Sequence, residues 1–270
     1  MLLDPQFLAE QILNSLQFSM LLFLLAIGLS VVFGLMDYLN LSHGTIYMFA
    51  AYVAFSIAQL GGSFWAALAV APLVAAAVGV IYMGTDLLRI AYGDLPKGLS
   101  QPALLGGTVD LAGIRYPAYR LFIIALGLVV MTVLYLVLER TRLGALVRAG
   151  VDDRATAETL GIDIAKVFAL VFGIGTYLAG VAGVVAAPIF GIYPGMDVSI
   201  IILVLIVVVV GGLGSLRGAI LGSVLIGFAD TFGKILLPQF AMMMIYLVMA
   251  IALIFRPSGL MPARRFSASS

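Results

Sequence analysis

Residues Glu139 to Lys166 read ERTRLGALVRAGVDDRATAETLGIDIAK, and long apolar runs flank them on both sides. Five basic residues (Arg140, Arg142, Arg148, Arg154, Lys166) and five acidic ones (Glu139, Asp152, Asp153, Glu158, Asp163) crowd into this stretch. The chain as a whole is 63% hydrophobic and only 10% charged over 270 residues, with mean hydropathy +1.20. An ordinary soluble domain carries about 25% charged residues. A water-soluble fold of this length cannot hide so much apolar surface, so most of the chain faces lipid or other apolar helices. The charged island is then where a membrane-embedded helical protein meets a soluble partner; the plainer reading is a solvated connecting loop.

The net charge of +1 comes without a basic stripe, which gives no footprint for nucleic acid. Cysteine is absent, which excludes disulfides and cysteine-ligated metal. No small-residue cleavage site follows the first apolar run, so it reads as a retained helix.

Working outward, Ile12–Met36 is long enough to span, whereas Thr45–Leu60 is short for a span of roughly 20 residues. Phe64–Tyr92 is oddly long: as one straight helix it measures about 43 Å against a hydrocarbon core of roughly 30 Å. Asp86 and Arg89, one turn apart, can place its last turns outside. The expectation is one span from Phe64 to Gly84, with Asp86–Tyr92 in the external interface. A turn-back at Pro72 or Gly79 is the alternative. Residues 93–119 are rich in turn signals and form an external loop, with a hairpin in Gly107–Tyr116. Arg120–Leu138, Val167–Ala187, Ala219–Leu237 and Phe240–Phe255 are further spans. Counting or omitting the short Val198–Val210 run, the chain is a single all-α membrane domain (1–270) of about seven or eight transmembrane helices. Lys/Arg density places the island (139–166) and the tail (Arg256, Arg264, Arg265) on the cytoplasmic side. Four apolar runs separate them, an even number. The single span before the 93–119 loop then puts the N-terminus in the cytoplasm.

Within the island, Leu143, Leu146 and Val147 share one helical face. Gly150 is expected to stop that helix, Asp152 or Asp153 to N-cap a second, and Gly161 to end it. Gly175, Ala179, Gly183 and Ala187 recur every four residues, as do Gly214, Gly218 and Gly222; small residues at this spacing let membrane helices approach closely. Gly211-Gly-Leu-Gly-Ser lacks the Gly-Lys-Ser/Thr ending of a phosphate loop, and no such motif occurs elsewhere, so the chain is not expected to hydrolyse ATP itself. His43, the only histidine, sits in a polar knot with Asp37, Asn40 and Ser42, and is a poor metal site with one carboxylate nearby. Polar groups at membrane depth are often functional, although an interfacial turn with satisfied hydrogen bonds accounts for them as well. Asp230 and Lys234, at i,i+4, neutralise each other, a proton relay at Asp230 being the alternative. No nucleophile–base pair can be assembled, so no catalytic residue is named.

Together these residues resemble a known family. Gly28–Tyr52 (GLSVVFGLMDYLNLSHGTIYMFAAY) is similar to the N-terminal signature of the permeases of branched-chain amino acid ABC importers. The Arg140-Thr-Arg-Leu-Gly144 start and the Asp153–Ile162 end of the island, Gly211–Ser215 and Phe255–Leu260 match as well. The resemblance implies a multi-pass protein of the bacterial inner membrane that moves branched-chain amino acids, or urea or short amides, by alternating access. It implies as partners a second permease, two cytoplasmic ABC ATPases that bind the ATP and magnesium, and an extracytoplasmic solute-binding protein, with membrane lipid around and no cofactor or metal on this chain. It implies ATPase coupling by Arg148, Asp152, Asp153, Arg154, Glu158 and Gly161, and a translocation path near Asn40, His43, Gly44 and Tyr47. One departure stands out: a basic loop and a further span usual in the family before the external loop are missing, within Phe64–Tyr92. The rivals are an ion-coupled transporter or channel using Asp230, Asp86 or His43, and a membrane scaffold without transport.

Overall fold

The computed structural model describes residues 4–36, 40–78, 88, 91–93, 95–111 and 113–262. Helix α1 (Pro5–Met36) has 32 residues and is about 48 Å long. Asp4 starts it: its carboxylate accepts from the Gln6 N–H at 3.1 Å, and Pro5 fills the first position, where no N–H is needed. Apolar residues run all round this helix, as burial on every side requires. Leu22, Leu24, Ala26, Ile27 and Leu29 are almost wholly buried, and α1 is the post about which the bundle is built.

Helices α2 (His43–Gln59) and α3 (Phe64–Val78) form a hairpin closed by Gly61, whose φ of 82° and the Gly62 N–H donated to the Ile57 carbonyl (2.8 Å) make a glycine C-cap. Strands β1 (Thr108–Leu111) and β2 (Ile114–Pro117) pair antiparallel, Thr108 opposite Pro117, within the expected hairpin. Then come α4 (Ala118–Arg140), the island helices α5 (Arg142–Asp152) and α6 (Arg154–Thr159), α7 (Ile164–Phe190), α8 (Met196–Gly211), α9 (Leu216–Leu236) and α10 (Ala241–Phe255). α1 packs on α4, α7, α8 and α9, and α7 also receives α2 and α3. Among the described residues the helices outside the island follow the expected apolar runs, and of these α1, α4, α7 and α9 are both long and apolar enough to cross a membrane.

The bundle has two distinct ends. At one lie the island, the α8–α9 turn and the tail: Arg217 is 3.9 Å from Glu139, and the Leu260 and Met261 N–H groups donate to the Val210 and Gly211 carbonyls at 2.8 and 2.9 Å. At the other lies the hairpin loop, where Lys97 and Ile192 exchange backbone hydrogen bonds of 2.7 and 2.9 Å. The N-terminal end of α1 belongs to the loop end, because Tyr116 and Arg120 both donate to the Asn14 side chain, Tyr116 at 3.0 Å. The expected N-terminus on the island side is therefore corrected.

The expected single pass from Phe64 is corrected as well. Phe64 packs edge-on against Tyr119 (5.8 Å) and Trp65 against Phe122 (5.5 Å), both at the start of α4, so α3 begins at the loop end. It runs through Pro72, whose Cα meets Gly180 in α7, with no turn-back there. The Tyr92 ring lies tilted against Tyr52 (centroids 4.8 Å apart) and its hydroxyl shares a 2.5 Å hydrogen bond with Ser56, in the half of α2 nearer the loop end. Both described ends of the 64–92 stretch thus lie on the same side, because aromatic packing, not length matching, places them. Gly79, Gly84, Asp86 and Arg89 lie outside the described residues.

Candidate functional site

The polar knot after α1 becomes an internal junction. The Asn40 side chain accepts from the Ser42 N–H (3.1 Å) and its carbonyl from the His43 N–H (3.1 Å), which turns the chain into α2. Asp37 lies outside the described residues. His43, only 1% exposed, lies 3.0 Å by Nε2 from the Leu25 carbonyl. A carbonyl only accepts, so Nε2 carries the proton and Nδ1, buried without a partner, is left as an acceptor. Leu25 stands about 16 Å along α1 from Met36, so α2 starts at mid-bundle and not at a surface. His43 is thus more deeply placed than an interfacial turn.

Three close approaches build this junction. A Cβ on Gly28 would sit 2.5 Å from the Gly175 carbonyl oxygen and 2.9 Å from the His43 ring, so α1, α2 and α7 meet there backbone to backbone. A Cβ on Gly183 would run into the Tyr47 carbonyl, and one on Gly44 would lie 2.5 Å from the Asp197 carbonyl. Ala179 and Ala187 are buried on the same face of α7.

Asp197, in the first turn of α8, escaped the sequence reading. It is 8% exposed. Its Oδ2 accepts from the Thr45 hydroxyl at 3.4 Å, and its Oδ1 is buried without a partner. The signal was available: it is the only acidic residue between Asp163 and Asp230. Asp230, in contrast, is paired with Lys234 at 2.5 Å, and the ammonium also lies 5.7 Å from the Phe18 ring. That pair is the mutual neutralisation expected of i,i+4 neighbours.

At the island end, α5 folds back on α4 because Gly144 leaves room for the Leu138 carbonyl, to which Arg148 donates. α5 continues through Gly150 to Asp152; the expected stop at Gly150 is corrected. Gly150 instead faces the Ile164 side chain, which a Cβ would approach to 3.1 Å, and the chain breaks at Asp153, in an extended conformation. Asp153 is the N-cap of α6. The Thr156 hydroxyl (2.5 Å) and N–H (3.0 Å) both donate to its carboxylate and hold it below its usual range. Gly161, at φ 84°, follows the end of α6 as expected. Val147 is buried against Val167 and Val171 of α7, while Glu158 and Leu160 of α6 and its C-cap are exposed. For Asp152 and Arg154 the structure describes the backbone alone.

Gly214 is not on a helix face with Gly218 and Gly222, as its spacing suggested; it lies in the α8–α9 turn at φ 74°, against Gly34 of α1. Gly218 meets Gly211, and Gly222 meets the Val207 carbonyl, which brings α8 and α9 to backbone contact. No group of three or more potential metal ligands occurs among the described residues.

The family model for the permease component of branched-chain amino acid transport systems matches residues 11–93 and 86–253. The chain belongs to this permease family. Similar relatives include the high-affinity branched-chain amino acid transport system permease protein BraD of Pseudomonas aeruginosa, 29% identical over 291 positions that cover 93% of this chain and 95% of BraD. LivH of Escherichia coli is 25% identical over 96% of this chain and 97% of its own. LivM of Salmonella typhimurium is 29% identical, but the match covers only 69% of that protein. No solved structure matches. The BraD alignment is longer than the 270-residue chain, so BraD has residues that this permease lacks. The two sections of the family match meet at residues 86–93, at the end of the stretch where the sequence departs from the family pattern.

Proposed function

We propose that this multi-pass permease is a subunit of an ATP-driven importer that carries branched-chain amino acids, or a related small solute such as urea or a short amide, across the bacterial inner membrane by alternating access. Its partners are a second, LivM-like permease, two cytoplasmic ABC ATPases that bind ATP and magnesium, and an extracytoplasmic solute-binding protein. The names of the relatives support the solute class and the paired permeases.

The observation that carries the coupling reading is the seating of the island. α5 packs on α1 and α7 through Val147, while α6 turns Glu158 and Leu160 outward. A soluble partner gripping the exposed α6 and pressing on α5 would move the two helices whose Gly28–Gly175 contact encloses His43. Arg148, Asp152, Asp153, Arg154, Glu158 and Gly161 are the coupling residues on this reading, and Asn40, His43, Gly44 and Tyr47 adjoin the path.

The test is charge reversal. Asp153→Arg with Glu158→Arg presents two wrong charges to a matching groove, whereas Asp153→Asn with Glu158→Gln keeps an N-cap. The reversed variant is expected to insert normally but to lose the co-purifying ATPase and uptake into vesicles. If it still retains the ATPase and transports at the wild-type rate, the island is a connecting loop.

A further inference from the structure

We propose that Asp197 receives the ammonium group of the transported solute. The inference rests on reading this chain as an amino-acid permease, and it assigns to that function a residue outside the signature blocks.

Three observations carry it. First, the carboxylate is buried and incompletely satisfied: Thr45 donates to Oδ2, and Oδ1 has no partner. A buried carboxylate with an empty oxygen is costly, and an ionisable residue at membrane depth that faces the bundle interior marks a substrate or ion path, a proton relay or a counter-ion. Second, the position lies inside the slab. α8 has 16 residues, about 24 Å, which is short of a core of roughly 30 Å. Its far end is held at the island end by the Leu260 and Met261 hydrogen bonds, so the deficit falls at the Asp197 end. Third, the surroundings supply helix N-terminal dipoles and no cation. Asp197 is in the first turn of α8 and its hydroxyl partner Thr45 is in the first turn of α2, so two helix N-termini face the carboxylate. Among the described residues no Lys or Arg pairs with it.

The missing partner is therefore a cation with N–H donors. A divalent metal would need several more oxygen ligands, and no cluster of potential ligands is present among the described residues. A zwitterionic amino acid brings a compact ammonium with three donors. Thr45 and the α8 dipole would hold the carboxylate in place, and α2, which starts at mid-bundle, would set the access to Oδ1.

The experiment uses the complete transporter, with partner permease, ATPases and binding protein, in liposomes, and follows radiolabelled leucine uptake and ATP hydrolysis together. Asp197→Asn keeps the shape and the Thr45 hydrogen bond but removes the charge. It is expected to cut uptake at least tenfold with assembly and ATP hydrolysis retained, in proportion to the loss of a charge-assisted hydrogen bond. Wild-type uptake by Asp197→Asn would overturn the proposal, because a carboxyl that is neutral in the bundle is mimicked by its amide. If the variant does not assemble, a lipid-soluble carbodiimide, which needs a proton to add to a carboxyl, is applied to the wild-type complex at a pH low enough to label Asp197 without leucine. Saturating leucine is expected to protect Asp197 from modification, and equal modification with and without leucine would overturn the proposal. A wild-type complex that hydrolyses ATP but takes up no leucine, isoleucine or valine would refute the amino-acid reading itself, and the role of Asp197 with it.

Discussion

The carbonyl of Tyr47 occupies the place that a side chain on Gly183 would need. Four-residue spacing identified Gly175, Ala179 and Gly183 as one face, but not what the face meets, because small residues suit any close neighbour. The neighbours are specific backbone atoms: Gly28 for Gly175 and Tyr47 for Gly183. Gly183→Leu is accordingly expected to lower stability by more than a surface change would, on the order of the 1–3 kcal/mol seen for overpacking. Thermal unfolding of the purified permease in detergent measures it. An unchanged midpoint would show that α7 and α2 do not meet there. The same local logic explains why Asp197 was missed: its significance lies in an unpartnered oxygen, which residue type does not display.

Among the elements, α3 shows the limits of length and hydropathy. A bilayer argument compares a helix with the slab and finds that Phe64 to Gly84 fits one crossing. It has no means of knowing that Phe64 and Trp65 pack edge-on against Tyr119 and Phe122. Those contacts put Ser63 at the same end as Leu95. Because the chain has no cysteine, single cysteines at Ser63 and Leu95 report without background. A membrane-impermeant maleimide applied to spheroplasts is expected to label both Ser63→Cys and Leu95→Cys, from the same face. Labelling of Leu95→Cys alone would restore a single crossing. The island helices were more legible, since Asp153 and Gly161 act through local backbone chemistry. Gly150 misled because its small size serves packing on Ile164 and not a left-handed turn.

At the scale of the molecule, blocks far apart in sequence close on one another. Gly259 lies against Gly212, the Leu260 and Met261 N–H groups donate to the last two carbonyls of α8, and Gly214 of the same turn presses on Gly34 in the first signature block. Each turn glycine here has a positive φ, 110° at Gly212 and 88° at Gly259, so a bulkier residue is strained as well as crowded. Ending the chain after Phe255 removes the two backbone hydrogen bonds that join the tail to α8, at about 1 kcal/mol each. The truncated permease is expected to remain inserted but to exchange amide hydrogens faster across residues 209–219. Exchange at the wild-type rate would mean that the tail does not latch the α8–α9 turn.

Composition alone required a membrane bundle, because 63% hydrophobic residues leave no soluble alternative, and the four signature blocks carried the family. The hairpin in the loop, the capped island helix and the Asp230–Lys234 pair were also readable, since each depends on residues within a few positions of one another. The direction of α1 and α3, the depth at which α2 begins and the burial of Asp197 with one carboxylate oxygen unpartnered were decided only in three dimensions. They depend on which helices touch, and lipid-facing sequences are nearly equivalent to one another until close packing, aromatic contacts and buried hydrogen bonds choose among the arrangements.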